Sequence, residues 1–99
     1  MSLRSFDAEQ EYSEITRELA EYVYARDGDL CQVTGERGGV LHHVLFKSQG
    51  GKNCANNLVL LSTRGHLIQH GLIKGTAVSV KVLRALIKTN EERLKRSFV

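Results

Sequence analysis

The sequence predicts one small domain of the α+β class, with a helix at each end and a turn-rich centre that contains two short strands. A chain of 99 residues is long enough for a single domain. Its 41% hydrophobic and 25% charged residues are a balance typical of folded globular proteins. All nine glycines lie between residues 28 and 75, whereas apolar residues at helical spacing mark both ends. We therefore divide the chain into a helical buttress, 1–25, a core, 26–75, and a C-terminal helix, 76–99.

The first segment is predicted to form one helix over residues 7–24, which would support the core behind it. Acidic residues fill its first turn, where the helix dipole favours them, and Ser5 or Asp7 is suited to the N-cap position. The turn residues 27–29 are expected to end the helix. Its apolar face, at helical spacing, consists of Tyr12, Ile15, Leu19, Tyr22 and Val23.

The centre is predicted to contain two strands, 40–45 and 57–61, joined by a loop. The connection, about eleven residues over 46–56 with a turn at 48–51, is too long for a tight hairpin. Loops of this length within compact domains often carry function. The sequence therefore indicates that this loop forms part of a site.

Two further helices are predicted after the second strand. Ser62 or Thr63 is suited to cap a short helix that Gly71 closes. The last segment, 76–98, is mostly helical by its apolar spacing, with Asn90 as a point where the helix breaks or a second piece begins. An extended start to this segment stays open because of the alternating Val78, Val80 and Val82.

The charge of the chain is uneven. Residues 1–30 carry three basic and eight acidic residues, whereas 31–99 carry eleven basic and three acidic residues. A basic body suggests a polyanion as partner, and uneven solvated charge is the alternative explanation. No apolar run approaches the roughly 18–20 residues of a membrane span, and the polar N-terminus is unlike a signal peptide. Since Cys31 and Cys54 form no CxxC pair, we expect free thiols in a cytoplasmic protein.

All four histidines fall within the predicted core, as an adjacent pair and a pair four residues apart. His42 and His43 lie side by side on a strand, so their side chains point to opposite faces of it. His66 and His70 lie four apart on a helix and therefore share a face. If that helix packs on the strands, three imidazoles converge on one metal ion and leave coordination positions open, as a catalytic metal needs. Ordinary surface or core histidines are the alternative interpretation.

A series of short motifs runs through residues 26–71, about half of the chain. In chain order it consists of Arg26, Asp27, Gly28, Cys31, Thr34 and Gly35, then His42 and His43, then Ser48, Gly50 and Gly51, then Asn57, Leu58, Val59 and Leu61, and finally His66 and His70. These motifs resemble the HNH endonuclease family, whose name comes from the order His–Asn–His that His43, Asn57 and His66 reproduce. The final HxxxH pair is most similar to the DNase domains of nuclease colicins.

The resemblance implies a fold and a chemistry. Members of the family fold as a ββα-metal motif and hydrolyse DNA phosphodiester bonds, leaving a 5′ phosphate and a 3′ hydroxyl. By position, His43 resembles the general base that activates water, a role that suits an imidazole because its ordinary pKa near 6.5 lies close to neutral pH. Asn57 resembles the asparagine whose side chain bonds the backbone across the loop. The implied ligands of a single divalent metal ion are His42, His66 and His70.

The sequence departs from the family at a second metal site. Many small members bind a structural zinc ion through two CxxC pairs, but here Thr34 follows Cys31 at the partner position, and Ser62 and Gly65 replace the second pair. A four-cysteine zinc knuckle is therefore impossible, and we expect the terminal helices to supply the missing support. The catalytic residues that the resemblance implies are all present. Three imidazoles favour Zn, Ni or Mn, whereas sites of this family are often served by Mg, so the identity of the catalytic ion stays open.

Several basic residues near the predicted site are candidates for phosphate contacts. Phosphate contacts fix position without reading sequence, and no base-reading helix is evident, so we expect DNA binding with weak sequence specificity. A non-catalytic nucleic-acid-binding module, a structural metal module on the same fold and a metal-dependent ribonuclease stay open as alternatives. Since small HNH proteins are common in bacteria and their viruses, we expect such an origin. The candidate contacts are Lys47, Lys52 and Arg64, which we favour, and Arg37 and Lys74.

Overall fold

The computed structural model describes residue 3 and residues 6–97. Within them lie three α-helices, α1 (Arg17–Arg26), α2 (Thr63–Gln69) and α3 (Val80–Arg96), and two strands, β1 (Val40–His43) and β2 (Leu58–Leu61). The loop between the strands contains two short 3-10 helices, Lys47–Gln49 and Ala55–Asn57. This architecture confirms the predicted small α+β domain. No helix among the described residues is both long and apolar enough to span a membrane.

The two strands form an antiparallel pair in a register that places His43 opposite Leu58. β2 is buried along its whole length because both of its faces are covered. Leu58 and Leu60 belong to an apolar cluster with α1, whereas Val59 and Leu61 belong to a second cluster with α3. The two terminal helices therefore enclose β2 and hold the hairpin in place.

A buried ion pair joins the end of α1 to β2. Arg26 and Asp27 are 0% and 2% exposed, and the guanidinium donates to both carboxylate oxygens at 2.8 and 2.9 Å. Arg26 also donates to the carbonyl oxygens of Ala55 and Leu58, and Asp27 accepts from the Leu60 N–H at 2.9 Å. Separating this pair from its partners would leave an uncompensated buried charge, which is strongly unfavourable. The hydrogen bonds from the pair to Leu58 and Leu60 therefore fix the position of β2.

The first helix is shorter at its start than the predicted 7–24, and it ends two residues later. Thr16 provides the N-cap, because its hydroxyl oxygen accepts from the Leu19 N–H at 3.2 Å. Asp7, one of the two predicted caps, lies upstream of the helix, where its carboxylate accepts from the Glu9 N–H at 2.9 Å. The other predicted cap, Ser5, lies outside the described residues.

Tertiary contacts explain why the chain before Thr16 is not helical. The backbone of Tyr12 forms an antiparallel bridge with Asn53, in the loop between the strands. The Phe6 ring stacks on Tyr22 of α1, with ring centroids 4.4 Å apart. The segment therefore runs back across α1 and the loop instead of extending the helix.

The C-terminal helix also begins later than predicted, at Val80, because the hydroxyl of Ser79 caps its first turn. The predicted end at residue 98 lies outside the described residues, and α3 is described to Arg96. Asn90 neither breaks the helix nor begins a second piece, contrary to both predicted possibilities, because α3 is continuous from Val80 to Arg96. Its buried amide nitrogen donates to Asp27 at 3.0 Å and to Gln32 at 2.9 Å, so α3 is tied to the buried ion pair.

Local signals in the centre are confirmed more closely. Ser62 caps α2 by accepting from the Gly65 N–H at 3.0 Å, and Gly71 follows the helix with a φ of +70°. Both strands are shorter than predicted: β1 ends at His43, and β2 begins at Leu58. Beyond these residues one backbone hydrogen bond remains, from the Val44 N–H to the Asn57 carbonyl oxygen at 2.8 Å, and side-chain bonds described below join the two segments further on. Cys31 and Cys54 are both buried free cysteines.

Candidate active site

Three histidine side chains converge beside the hairpin: His42, buried on β1, His66, half-buried on α2, and His70, exposed just after α2. Each offers a ligand atom that lies within 4.8 Å of the other two. The Nδ1 atoms of His42 and His66 are 3.3 Å apart. Two nitrogens bound to one tetrahedral ion at about 2.0–2.1 Å lie about 3.3 Å from each other. The donor set therefore fits one divalent ion, and we call it the three-histidine site.

Burial keeps the inner histidines of this site uncharged. Desolvation, together with the neighbouring His66, His70 and His43, lowers the pKa of His42 to about 4. The pKa of His66 is also lowered, by burial and then by His70. Because only a neutral imidazole has a lone pair to give, His42 and His66 are ready to bind a metal at pH 7.

An aromatic side chain supports the three-histidine site. The Phe46 ring stacks on His70, with centroids 5.1 Å apart and an interplanar angle of 20°. It also contacts His42 edge-on at 5.8 Å. Phe46 therefore restricts the orientation of two of the three imidazoles. The sequence pattern did not predict that Phe46 belongs to the site, because a single aromatic residue after a strand is common.

His43 is separated from this site by the alternation of the strand, as predicted. It is half-buried, and its Nε2 lies 2.7 Å from Oδ1 of Asn53. Asn53 is buried and belongs to the long loop. The structure thus places one histidine, held by a hydrogen bond, next along β1 to one of the three histidines that can share a metal ion. Sequence reasoning missed Asn53 because the contact depends on how the loop folds back.

Asn57 closes the long loop through its side chain. Its Oδ1 accepts from the Leu45 N–H at 2.8 Å, and its Nδ2 donates to the Leu45 and Lys52 carbonyl oxygens, both at 3.0 Å. The amide therefore extends the contact between the two segments beyond their last backbone hydrogen bond, at Val44, and ties both ends of the loop together. These are the cross-loop bonds that the HNH resemblance implies for this asparagine.

The four positions of the missing zinc knuckle still lie together. The Thr34 N–H donates to Sγ of Cys31 at 3.3 Å, and the Thr34 and Ser62 hydroxyl oxygens are 3.2 Å apart. A Cβ atom at Gly65 would come within 2.5 Å of the Cys31 sulfur. Although burial opposes ionisation, hydrogen bonds from Ser62 and Thr34 lower the pKa of Cys31 to about 7. Direct packing and hydrogen bonds thus hold the region where the family uses a zinc ion.

The predicted phosphate contacts fall in different environments. Lys47 lines a groove beside Asn53, and Lys52 lines a cleft of about 210 Å³ next to Asn57. Arg84 of α3 lines the same cleft and was not predicted, because nothing in the sequence joins α3 to the loop. Within the part of the chain that the structure describes, Lys47, Lys52 and Arg84 form no ion pair.

The other predicted contacts are less well placed. Arg64 donates to the Glu36 carboxylate at 3.1 Å, so part of its charge is neutralised within the chain. Arg37 is exposed beside Leu30, and Lys74 is exposed after α2. The positive charge beside Asn53 and Asn57 therefore comes from the loop and from α3.

Comparison of the chain with models of known families, with characterised proteins and with solved structures finds no match. The function proposed below is therefore inferred from the side chains of the site and from the motifs in the sequence.

Proposed function

We propose that this chain is a metal-dependent endonuclease of the HNH type that hydrolyses phosphodiester bonds in DNA. The observation that carries the proposal is a three-histidine site with a fourth histidine, His43, that follows His42 on β1 and is held by its own hydrogen bond. Hydrolysis of a phosphodiester needs a base to activate water and a positive charge at the phosphate. The Asn57 hydrogen bonds across the loop add support, because the HNH resemblance implies them.

His43 is the general base of the proposed reaction. The imidazole nitrogen that is not bonded to Asn53 accepts a proton from a water molecule while the water oxygen attacks phosphorus. The bond between phosphorus and the 3′ oxygen then breaks, and that oxygen takes a proton from solvent. The products are a 5′ phosphate and a 3′ hydroxyl.

The three-histidine site holds the divalent ion of the proposed enzyme. Imidazole nitrogens suit Zn, Ni or Mn, and three protein ligands leave coordination positions for substrate. When bound, such an ion neutralises charge on the phosphate and on the leaving oxygen. Phe46 restricts the rings of His42 and His70, so the ligands are partly arranged in advance.

Lys47, Lys52 and Arg84 are the proposed phosphate contacts. All three are exposed: Lys47 lines the groove that contains Asn53, and Lys52 and Arg84 line the cleft that contains Asn57. Side chains of this kind bind the backbone of DNA without reading its sequence. Binding should therefore depend strongly on salt and weakly on base sequence.

A purely structural metal site is less well supported. A closed zinc site takes four protein ligands, whereas only three histidine, cysteine or acidic side chains cluster in this way among residues 3 and 6–97. His43, the histidine that could complete the set, is bound to Asn53 instead.

A plasmid-nicking assay tests the proposal. Purified protein with Mn, Ni, Zn or Mg should convert supercoiled DNA to the nicked or linear form, and EDTA should stop the reaction. The His66→Ala, His70→Ala double variant is the matched control for a contaminating nuclease, because it removes two ligands and should be inactive with every metal. Cleavage that persists in EDTA or in the double variant, or no cleavage by wild-type protein with any of the four ions, would contradict the proposal.

A further inference from the structure

Asn53 contacts the proposed base on the side away from the reacting nitrogen. Its Oδ1 lies 2.7 Å from Nε2 of His43, and the residue is only 6% exposed. A buried amide with a short hydrogen bond to a half-buried imidazole has few alternative conformations. Neither the motifs in the sequence nor the HNH resemblance assigns a role to this residue.

The N-terminal segment orients the Asn53 amide. Its Nδ2 donates to the Ser13 carbonyl oxygen at 3.2 Å, and its backbone carbonyl accepts from the Tyr12 N–H at 2.9 Å. A backbone carbonyl oxygen can only accept, so the amide nitrogen must face Ser13. The amide oxygen must therefore face His43, and the usual ambiguity between the two ends of an asparagine is removed.

The orientation of Asn53 determines which nitrogen of His43 carries the proton. An amide oxygen can only accept a hydrogen bond, so Nε2 of His43 must be the donor. A neutral imidazole has one N–H, and Nδ1 is therefore left with a free lone pair.

We propose that Asn53 is a positioning residue that fixes His43 in the Nε2–H form and so makes Nδ1 the proton acceptor of the reaction. The catalytic part of this inference rests on the proposed nuclease function. When Nδ1 takes the proton from water, Nε2 keeps its own, and the bond to Asn53 becomes charge-assisted. The segment at residues 12–13, outside the part of the chain that resembles the HNH family, thereby acts on the base through Asn53.

NMR spectroscopy tests the hydrogen bond without any assay of activity. In ¹⁵N-labelled protein at pH 8, both metal-free and zinc-loaded, His43 should be protonated at Nε2, and this proton should exchange slowly with water. In Asn53→Ala the Nε2 proton should exchange fast enough to disappear. A wild-type His43 protonated at Nδ1, or an Nε2 proton that exchanges equally fast in both proteins, would overturn the inference.

Two substitutions at the same site separate positioning from stability. Asn53→Asp and Asn53→Ala both lose the donor to Ser13, but only the aspartate keeps an acceptor for His43. Asn53→Ala should lower kcat roughly 10–100-fold, the usual effect of removing a group that orients a functional histidine, with little change in KM for DNA. Asn53→Asp should keep most of kcat. Both should bind zinc like wild type in calorimetry, because the hydrogen bonds of Asn53 among the described residues go to His43, Ser13 and Tyr12 and not to the three ligands.

Gln49→Ala is the matched control, since Gln49 is exposed on the same loop and only its backbone forms a hydrogen bond within the described residues. It should leave kcat and the Nε2 proton unchanged. If Asn53→Ala does not fold, Asn53→Ser, which is too short to reach His43, replaces it. Wild-type kcat in Asn53→Ala or Asn53→Ser, or equal losses in the aspartate and alanine variants, would overturn the inference. Absence of cleavage by wild-type protein would instead count against the proposed function and leave the NMR test of the hydrogen bond intact.

Discussion

Removing the Asn57 side chain should loosen the loop that carries the proposed base strand. Asn57→Ala deletes three hydrogen bonds, one from the Leu45 N–H and two to the Leu45 and Lys52 carbonyl oxygens. Each is worth about 1 kcal/mol net, so the free energy of unfolding should fall by about 3 kcal/mol. For a domain of this size that loss lowers the melting temperature by roughly 12–24 °C.

The aspartate variant sharpens this prediction. Asn57→Asp keeps an oxygen that accepts from Leu45, but its second oxygen faces the two carbonyl oxygens to which the amide nitrogen donated. Because three acceptors then meet without a proton, Asn57→Asp should be at least as destabilised at pH 7 as Asn57→Ala. If the Asn57 side chain acted only by filling space, Asn57→Asp would be less destabilised than Asn57→Ala.

Urea and thermal unfolding followed by circular dichroism measure these effects, with nicking rates on the same samples. Asn56→Ala, one residue away, is the control and should unfold within about 0.5 kcal/mol of wild type. Cleavage by Asn57→Ala should fall even below its melting temperature, since Leu45 lies two residues after His43. An Asn57→Ala protein as stable as the control would refute the reasoning.

Three further predictions concern the metal, pH and charge. Saturating zinc, nickel or manganese should raise the wild-type melting temperature in scanning calorimetry and leave that of the His66→Ala, His70→Ala variant unchanged. If none of these ions, nor magnesium, shifts the wild-type melting temperature, the assignment of the three histidines as ligands is contradicted. The native pKa of His42, about 4, lies below the ordinary 6.5, so between these two pH values only the unfolded chain takes up a proton at His42. In EDTA, acidification from pH 7 to 4 should therefore lower the free energy of unfolding by up to roughly 3 kcal/mol. His42→Gln should lose less stability over this range in urea titrations, and an equal loss would contradict the assignment. In fluorescence anisotropy, Lys52→Met should weaken DNA binding and reduce the slope of log affinity against log salt concentration by about 0.9. Arg64→Met should change both the affinity and the slope less, because the charge of Arg64 is already in an ion pair. A larger effect of Arg64→Met than of Lys52→Met would contradict the proposed contacts.

Local signals in the sequence predicted the central elements well. Ser62 caps α2 and Gly71 closes it because capping depends on residues three or four apart, which the sequence displays directly. The start of α1 was not predictable in this way. Acidic and apolar residues continue the helical pattern upstream of Thr16, and only the contacts of Phe6 and Tyr12 with distant residues override it.

The same distinction applies to the candidate site. Strand alternation and helix periodicity are local properties, and they predicted that His42 and His43 point apart and that His66 and His70 share a face. The convergence of His42 with the other two depended on how the helix packs on the strands, and only the HNH resemblance named the three as one ligand set. Asn53 was missed, since its partners His43 and Ser13 lie 10 and 40 residues away along the chain. Arg84 was missed for a similar reason, because its place beside the loop depends on how α3 packs.

The comparison of His43→Ala with His42→Ala tests the proposed nuclease most directly, with metal titration by calorimetry beside nicking rates. His43→Ala should bind metal like wild type and lose cleavage by roughly 10²–10⁴-fold, because it removes only the base. His42→Ala should bind metal more weakly, and excess metal should restore part of its cleavage. If His43→Ala binds metal as poorly as His42→Ala, or cleaves DNA at the wild-type rate, the proposed roles of these two histidines are contradicted.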